Sequence, residues 1–144
     1  MLTMEDYGRQ PREQRMQRLT RTADELAAAI KGRSDGVLSR RPDAKNWAAK
    51  EIVCHLRDTE EVFAARVEQV RVMDVDPRWG DSNADRMAEE RQYLKNDVEE
   101  ALVAFPRRRA ETLELFAGLP PGQWEKGGIH PVRGRFTIDQ VLSI

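Results

Sequence analysis

Residues 46–60, NWAAKEIVCHLRDTE, begin the longest helical pattern in the chain and carry His55, one of only two histidines. Asn46 has a side chain suited to an N-cap, and the pattern continues to about Asp74. Its apolar residues recur at helical spacing, and they are Ile52, Leu56, Phe63, Val67 and Val70. At about 1.5 Å per residue the helix would be roughly 40 Å long, a length typical of helical bundles.

Three further segments have helical patterns. The first runs from Pro11 to Gly32, residues that favour the beginning and end of a helix. Its apolar positions are Met16, Leu19, Ala23, Leu26 and Ile30. The third helix along the chain contains Pro106, which should kink it. Its inward residues are Val98, Leu102, Phe105, Thr112, Leu113 and Phe116. The fourth begins at Thr137, with capping-box spacing to Gln140.

The predicted architecture is a single all-α domain over residues 1–144, an antiparallel four-helix bundle with long crossovers. No segment has a pattern that predicts a strand. The sequence stops at Ile144, inside the fourth helical pattern, so we expect a truncated fourth helix that leaves an apolar groove partly uncovered. Either a longer chain or another subunit would fill that groove.

Composition limits the classes of partner. Hydrophobic residues make up 40% and charged residues 34%, and the net charge is −1, so no global positive field attracts nucleic acid or an anionic membrane. The basic stretch FPRRRAE at residues 105–111 is interpreted as the solvent-exposed side of a helix. Cys54 is the only cysteine, and neither a signal peptide nor a membrane span is recognisable. We therefore expect a cytoplasmic protein.

Polar residues surround His55 on one face of the second helix, beside the apolar stripe. The nearest in direction are Glu51, Asp58, Thr59, Arg66 and Gln69. Such a border suits a binding site between helices, but an ordinary half-exposed helix has the same pattern, and spacing alone favours the second interpretation. A metal site needs three or four ligands, so His55 with one or two carboxylates is not sufficient.

Residues 46–67, NWAAKEIVCHLRDTEEVFAARV, resemble the signature of the DinB/YfiT-like superfamily of metal-binding proteins, and the likeness continues through residues 85–142. The resemblance implies a bundle with up-down-down-up connectivity, often dimeric. It also implies a divalent metal ion, typically zinc or nickel, held by three histidines. The first matches His55. The other two form a His-x-x-x-His pair on the fourth helix, and this sequence does not contain that pair.

The resemblance also suggests an activity and roles for further residues. The family includes bacterial thiol-dependent transferases, so we expect a thiol-dependent transferase or a metal-dependent hydrolase acting with a low-molecular-weight thiol or on another small molecule. Glu51 or Asp58 would orient His55 by accepting a hydrogen bond. Arg66 would bind an anionic substrate, although a partner on another helix or plain solvent is favoured for it. His130 would cap the last loop, with metal ligation as the lesser alternative.

A second hypothesis belongs to a different functional class. Because two of the three expected ligands are absent from this sequence, the chain would then be a metal-free helical bundle. Its groove would serve as a ligand-binding or homodimer surface, as in a stress-response module.

Overall fold

Seven α-helices and one β-hairpin make up the fold in the computed structural model, which describes residues 1–144. The helices are α1 (Met4–Gly8), α2 (Arg12–Ile30), α3 (Asp35–Leu38), α4 (Ala49–Val72), α5 (Ala84–Glu90), α6 (Val98–Ala117) and α7 (Ile138–Val141). The hairpin pairs β1 (Gly127–His130) with β2 (Gly134–Thr137). Short 3₁₀ turns lie at Tyr93–Lys95 and Pro121–Gln123.

The predicted all-α four-helix bundle is confirmed, with α2, α4, α6 and the single turn of α7 as its helices. α4 packs chiefly against α6, and α6 also packs against α2. The predicted capping box at the start of α7 is present, since Thr137 and Gln140 each accept a backbone hydrogen bond from the other. None of the helices combines the length and apolar composition that crossing a bilayer requires.

The helices predicted from the periodicity of apolar residues at α2 and α6 agree with those in the structure. Pro11 immediately precedes α2, and Gly32 follows its end with a positive φ of 77°, a backbone conformation that favours glycine. α6 begins after Asp97, whose side chain accepts hydrogen bonds from the backbone N–H groups of Glu99 and Glu100. The helix continues through Pro106 without ending.

The predicted start and buried face of α4 need correction. Asn46 does not cap this helix, because its side-chain amide donates to the carboxylate of Asp43, and the N-cap is Ala48. Ile52 is 44% exposed, whereas the next residue, Val53, is fully buried. Five of the nine buried residues of α4 are charged, so counting apolar residues misplaced its buried face. They are Lys50, Glu51, Asp58, Glu60 and Arg66.

The hairpin is the second correction, since no strand was predicted. Its strands have only four residues each, and three of the eight residues are glycines, so neither strand has the alternation that reveals a β-strand. The hairpin is attached to the bundle through residues 77–79. Ile129 donates its N–H to the Pro77 carbonyl, and Trp79 donates its own to the Ile129 carbonyl, at 2.8 and 3.0 Å. The Trp79 ring packs directly over Gly128, where a Cβ atom would collide with it.

Two apolar clusters form the core, and a buried ion pair lies between them along α4 and α6. One cluster includes Val53 and Tyr93, and the other includes Val67 and Phe116. Between them Arg109 donates from Nε and Nη2 to the two Glu60 carboxylate oxygens at 2.7 and 2.9 Å. Its Nη1 also donates to the Leu19 carbonyl of α2 at 2.9 Å, so one guanidinium joins three helices.

The basic stretch at residues 105–111 is therefore not simply a solvent-exposed face. Arg107 is exposed, but Arg109 is only 8% exposed, and the half-buried Arg108 contacts Glu61 at 3.1 Å. The interpretation of this stretch as the exposed side of a helix is wrong for Arg109. Three adjacent arginines cannot all lie on one face of a helix, and the third of them turns towards the α4 carboxylate.

Replacing Arg109 with Leu should destabilise the fold by about 3–5 kcal/mol, because it leaves the Glu60 carboxylate buried without its cation. The double replacement Glu60→Leu with Arg109→Leu should recover most of that loss, since neither charge remains. Urea unfolding followed by circular dichroism measures both. Arg71→Gln, which breaks an exposed pair with Glu68, is the control and should cost about 1 kcal/mol or less. An Arg109→Leu variant as stable as the wild type would contradict this role.

Candidate functional site

His55 lies in the wall of a cleft of ≈ 500 Å³ between α4 and the β-hairpin. From α4 the cleft is lined by His55, Thr59 and Phe63, and from the hairpin and its turn by His130 and Arg133. The fold thus brings both histidines of the chain, 75 positions apart in sequence (130 − 55), into one cavity.

The other boundaries of the cleft come from the segment before α5 and from the end of the sequence. Asp81 and Ser82 form part of one edge, and Ile144 contributes an apolar side chain. A smaller, more apolar recess of ≈ 160 Å³ also has His55 and Ile144 in its wall and includes the Glu60–Arg109 ion pair. His55 therefore lines both the cleft and the recess, and the buried ion pair lines the recess.

The environment of His55 favours its neutral form. The side chain is half-buried, and the Trp47 ring makes an edge contact with its centroid 5.1 Å from that of the imidazole. Thr59 Oγ1 lies 3.2 Å from Nδ1 and 3.3 Å from Nε2, so one hydroxyl satisfies one ring nitrogen. Burial lowers the pKa of His55, and the nearby negative charge of Asp58 opposes this only in part. A neutral imidazole is the form that binds metal ions.

Neither carboxylate that was predicted to orient His55 does so. Glu51 is held by Arg41, whose Nε and Nη2 lie 2.7 and 2.6 Å from its oxygens, and it also accepts the N–H of Ala48. Burial opposes ionisation of Glu51, but the Arg41 hydrogen bonds are the larger influence and lower its pKa. The hydrogen-bond partner of His55 is instead Thr59, one turn further along α4.

Asp58 is the centre of a separate buried network. Its carboxylate lies 2.8 Å from Arg57 Nε and 2.8 Å from Arg91 Nη1, and it accepts the Tyr93 hydroxyl at 2.9 Å. Burial is the largest single influence and would raise the pKa of Asp58. The hydrogen bonds from Arg57, Arg91 and Tyr93 together outweigh it, so the pKa lies below its ordinary value. Asp58 therefore fastens the segment after α5 to α4.

Arg66 does not line the cleft that contains His55. Its guanidinium lies between two aromatic rings, 5.2 Å from the centre of Phe63 and 5.1 Å from that of Trp79. It donates to the Gly80 carbonyl at 2.9 Å and to Ser82 Oγ at 3.1 Å. Burial lowers the pKa of Arg66. These contacts position the segment that carries Asp81. Binding of an anionic substrate was only the lesser alternative for Arg66, beside a partner on another helix or solvent.

His130 uses one ring nitrogen to close the hairpin turn. Its Nδ1 accepts hydrogen bonds from the backbone N–H groups of Val132 and Arg133 at 3.1 and 3.2 Å. Nδ1 therefore carries no proton, and in the neutral ring the proton is on Nε2. Burial and the charges of Arg66 and Arg133 lower the pKa of His130, which favours this neutral form. In this arrangement neither nitrogen offers a free lone pair to a metal ion.

The chain contains no group of three or more His, Cys, Asp and Glu side chains close enough together to hold a metal ion. His55 fits the requirement for one ligand because burial favours its neutral form and its hydrogen-bond partner is a hydroxyl, not a carboxylate. The residues present do not complete a three-ligand site, because Glu51 and Asp58 are bound by arginines and the Nδ1 lone pair of His130 accepts backbone hydrogen bonds.

Sequence reasoning passed over several polar residues of the cleft wall, among them the charged residue Arg133. Arg133 belongs to the stretch GIHPVRGR at residues 128–135, in which a role was predicted only for His130. A turn of His130-Pro-Val-Arg-Gly between two short strands places Arg133 beside His130, but this signal is recognisable only once the hairpin is known. Arg133 forms no salt bridge, and its guanidinium lies over the Phe136 ring at 5.7 Å.

Comparison with known proteins agrees with this architecture. The family model described as the DinB superfamily matches residues 18–144. Among solved structures the chain is similar to YfiT from Bacillus subtilis, described as a probable metal-dependent hydrolase with an unusual four-helix bundle topology. The TM-score is 0.84 at 17% sequence identity, and the alignment covers 99% of this chain and 79% of YfiT. No curated protein sequence matches.

The Asp58 network should make stability depend on acidity. Because the pKa of Asp58 is lower in the folded chain than in the unfolded one, its ionised form stabilises the fold. This contribution is complete above the unfolded value of about 4 and is lost as the pH falls through the folded pKa. Urea unfolding at pH 7 should show Asp58→Asn less stable by about 1.5–3 kcal/mol. The difference from the wild type should shrink towards pH 3, and a constant difference would contradict the assignment.

Proposed function

This chain belongs to the DinB superfamily, and we propose that it uses the cleft at His55 for metal-dependent chemistry on a small molecule. In this proposal His55 is one ligand of a divalent ion, zinc or nickel, and the residues around it do not supply a full ligand set. The supporting observation is the state of His55. Burial favours its neutral form, it lies where two cavities meet, and its only hydrogen-bond partner is a hydroxyl.

The reaction class follows from what such an ion does when it is bound. A divalent ion held at His55 with an open position would polarise water or a thiol, so the two classes proposed are hydrolysis and thiol-dependent transfer. The description of YfiT as a probable metal-dependent hydrolase supports the first class. The second class is supported only by the resemblance of the sequence to a superfamily that includes thiol-dependent transferases. The residues of this chain would contribute a neutral ligand on α4, an apolar recess beneath it and a polar hairpin wall opposite.

His55→Ala in the full-length protein should weaken Zn²⁺ and Ni²⁺ binding by about tenfold or more, because it removes a ligand outright. Isothermal titration of the metal-free protein measures this, and metal analysis of the purified protein gives the stoichiometry. His130→Asn is the matched control among the two histidines. Since Nδ1 of His130 already accepts two backbone hydrogen bonds, that variant should keep the metal affinity. A wild-type protein without metal affinity, or equal affinity after His55→Ala, would reject the proposal.

A second candidate is a metal-free bundle that binds its ligand or a second copy through the same cleft. The absence of a three-ligand group among these residues favours it. Apolar side chains also lie exposed at the cleft, with Val132 at 85% and Ile144 at 44% exposure. A homodimer would cover both of them, which gives the predicted dimer a specific surface.

Val132→Asp should shift such a dimer towards monomer, since burying an unpaired carboxylate is unfavourable. Light scattering coupled to size-exclusion chromatography, run over a concentration series, measures the mass. Val103→Asp is the control, because Val103 is a similarly exposed valine on α6 that does not line this cleft. A wild-type protein that stays monomeric at every concentration would eliminate the dimer.

A further inference from the structure

The hairpin wall of the cleft carries hydrogen-bond donors and a cation that nothing in the chain neutralises. Arg133 lines the cleft and forms no salt bridge, and its closest polar contact is a weak one from Nη1 to the Met4 sulfur at 3.6 Å. The one carboxylate of the cleft wall, Asp81, is paired with Arg86 at 3.0 Å. The local balance of this wall is therefore positive although the whole chain has a net charge of −1.

His130 adds a directed donor to the same wall. Because its Nδ1 accepts from Val132 and Arg133, the ring is fixed by the turn and its proton is on Nε2. Nε2 has no hydrogen-bond partner within the chain. The same turn thus presents a neutral N–H from His130 and the guanidinium of Arg133. A neutral N–H and a guanidinium in the lining of one cleft are the kinds of donor that a carboxylate accepts.

We propose that His130 and Arg133 bind the carboxylate group of the small molecule that occupies this cleft. The inference names a ligand class for the site proposed above and depends on that proposal for its biological meaning. It assigns the anion-binding role considered for Arg66, which does not line the cleft, to Arg133, which lines it and forms no salt bridge. A ligand held in this way would have its carboxylate at the hairpin and the rest of the molecule towards His55 and the apolar recess.

The test uses glutarate as the probe and its neutral diamide, glutaramide, as the chemical control. Isothermal titration of the metal-free full-length protein should show that glutarate binds and that glutaramide does not. Arg133→Gln should weaken glutarate binding about tenfold, the effect of losing one charge-assisted hydrogen bond. Arg135→Gln is the matched control, because Arg135 lies two residues further on and pairs with Asp76 at 2.8 Å, and it should leave the affinity unchanged.

A second readout separates ligand contact from a general effect on the fold. Long-range ¹H–¹⁵N spectra of the imidazoles should show His130 protonated at Nε2 and unprotonated at Nδ1, and glutarate should shift the Nε2 resonance. Equal glutarate affinity in wild type and Arg133→Gln, equal binding of glutaramide, or a His130 ring protonated at Nδ1 would each overturn the inference. Inorganic phosphate binding as tightly as glutarate would overturn the carboxylate assignment.

The outcomes also distinguish this inference from the proposed function. His55→Ala should weaken metal binding but leave the glutarate affinity of the metal-free protein unchanged, because His55 lies on the α4 side of the cleft. If metal binding fails while glutarate binding depends on Arg133, the anion site stands and the metal proposal falls. If metal binds through His55 and glutarate does not bind, the anion site falls alone.

Discussion

The bidentate ion pair between Glu60 and Arg109 is the constraint on which the bundle depends. Its two charges are buried, so each needs the other in good geometry to offset the loss of water. The same guanidinium donates to the Leu19 carbonyl, which fixes α2 relative to α4 and α6. Because the pair also lies in the wall of the recess beneath His55, the interaction that sets the helix positions shapes the floor of the candidate site.

The other charged residues of α4 have comparable structural roles, and this explains the chemistry left to His55. Glu51 is bound by Arg41, and Asp58 by Arg57 and Arg91, so both carboxylates near His55 hold neighbouring segments in place. An imidazole beside a free carboxylate would tend to be protonated, whereas His55 has only a hydroxyl partner and a desolvated ring. Burial therefore favours the neutral form of His55, and the arginine-bound Asp58 opposes this only in part.

Sequence periodicity predicted α2 and α6 because their interior positions are mostly apolar, and the resemblance singled out His55. Periodicity gave the wrong buried face for α4, where Glu60 and Arg66 are buried and Ile52 is exposed. The reason is physical, since a charged residue is buried only with partners, and those partners are distant in sequence. The hairpin was missed for a related reason. Its short, glycine-rich strands are held by Trp79 and Pro77, about fifty residues earlier, so Arg133 could not be assigned to the cleft.

The two histidines show how far residue type alone determines a role. His55 and His130 line one cleft, and both have a lowered pKa because of burial. What separates them is the partner of the ring nitrogens, a side-chain hydroxyl for His55 and two backbone N–H groups for His130. Two backbone donors require a lone pair on Nδ1 and leave the proton on Nε2, whereas a hydroxyl can donate or accept and permits either tautomer. The cleft therefore has one wall able to give a lone pair and another able to give a proton in a hydrogen bond. This difference would orient a ligand in the cleft. Its hydrogen-bond acceptor would lie at His130, and a metal ion bound to it would lie at His55.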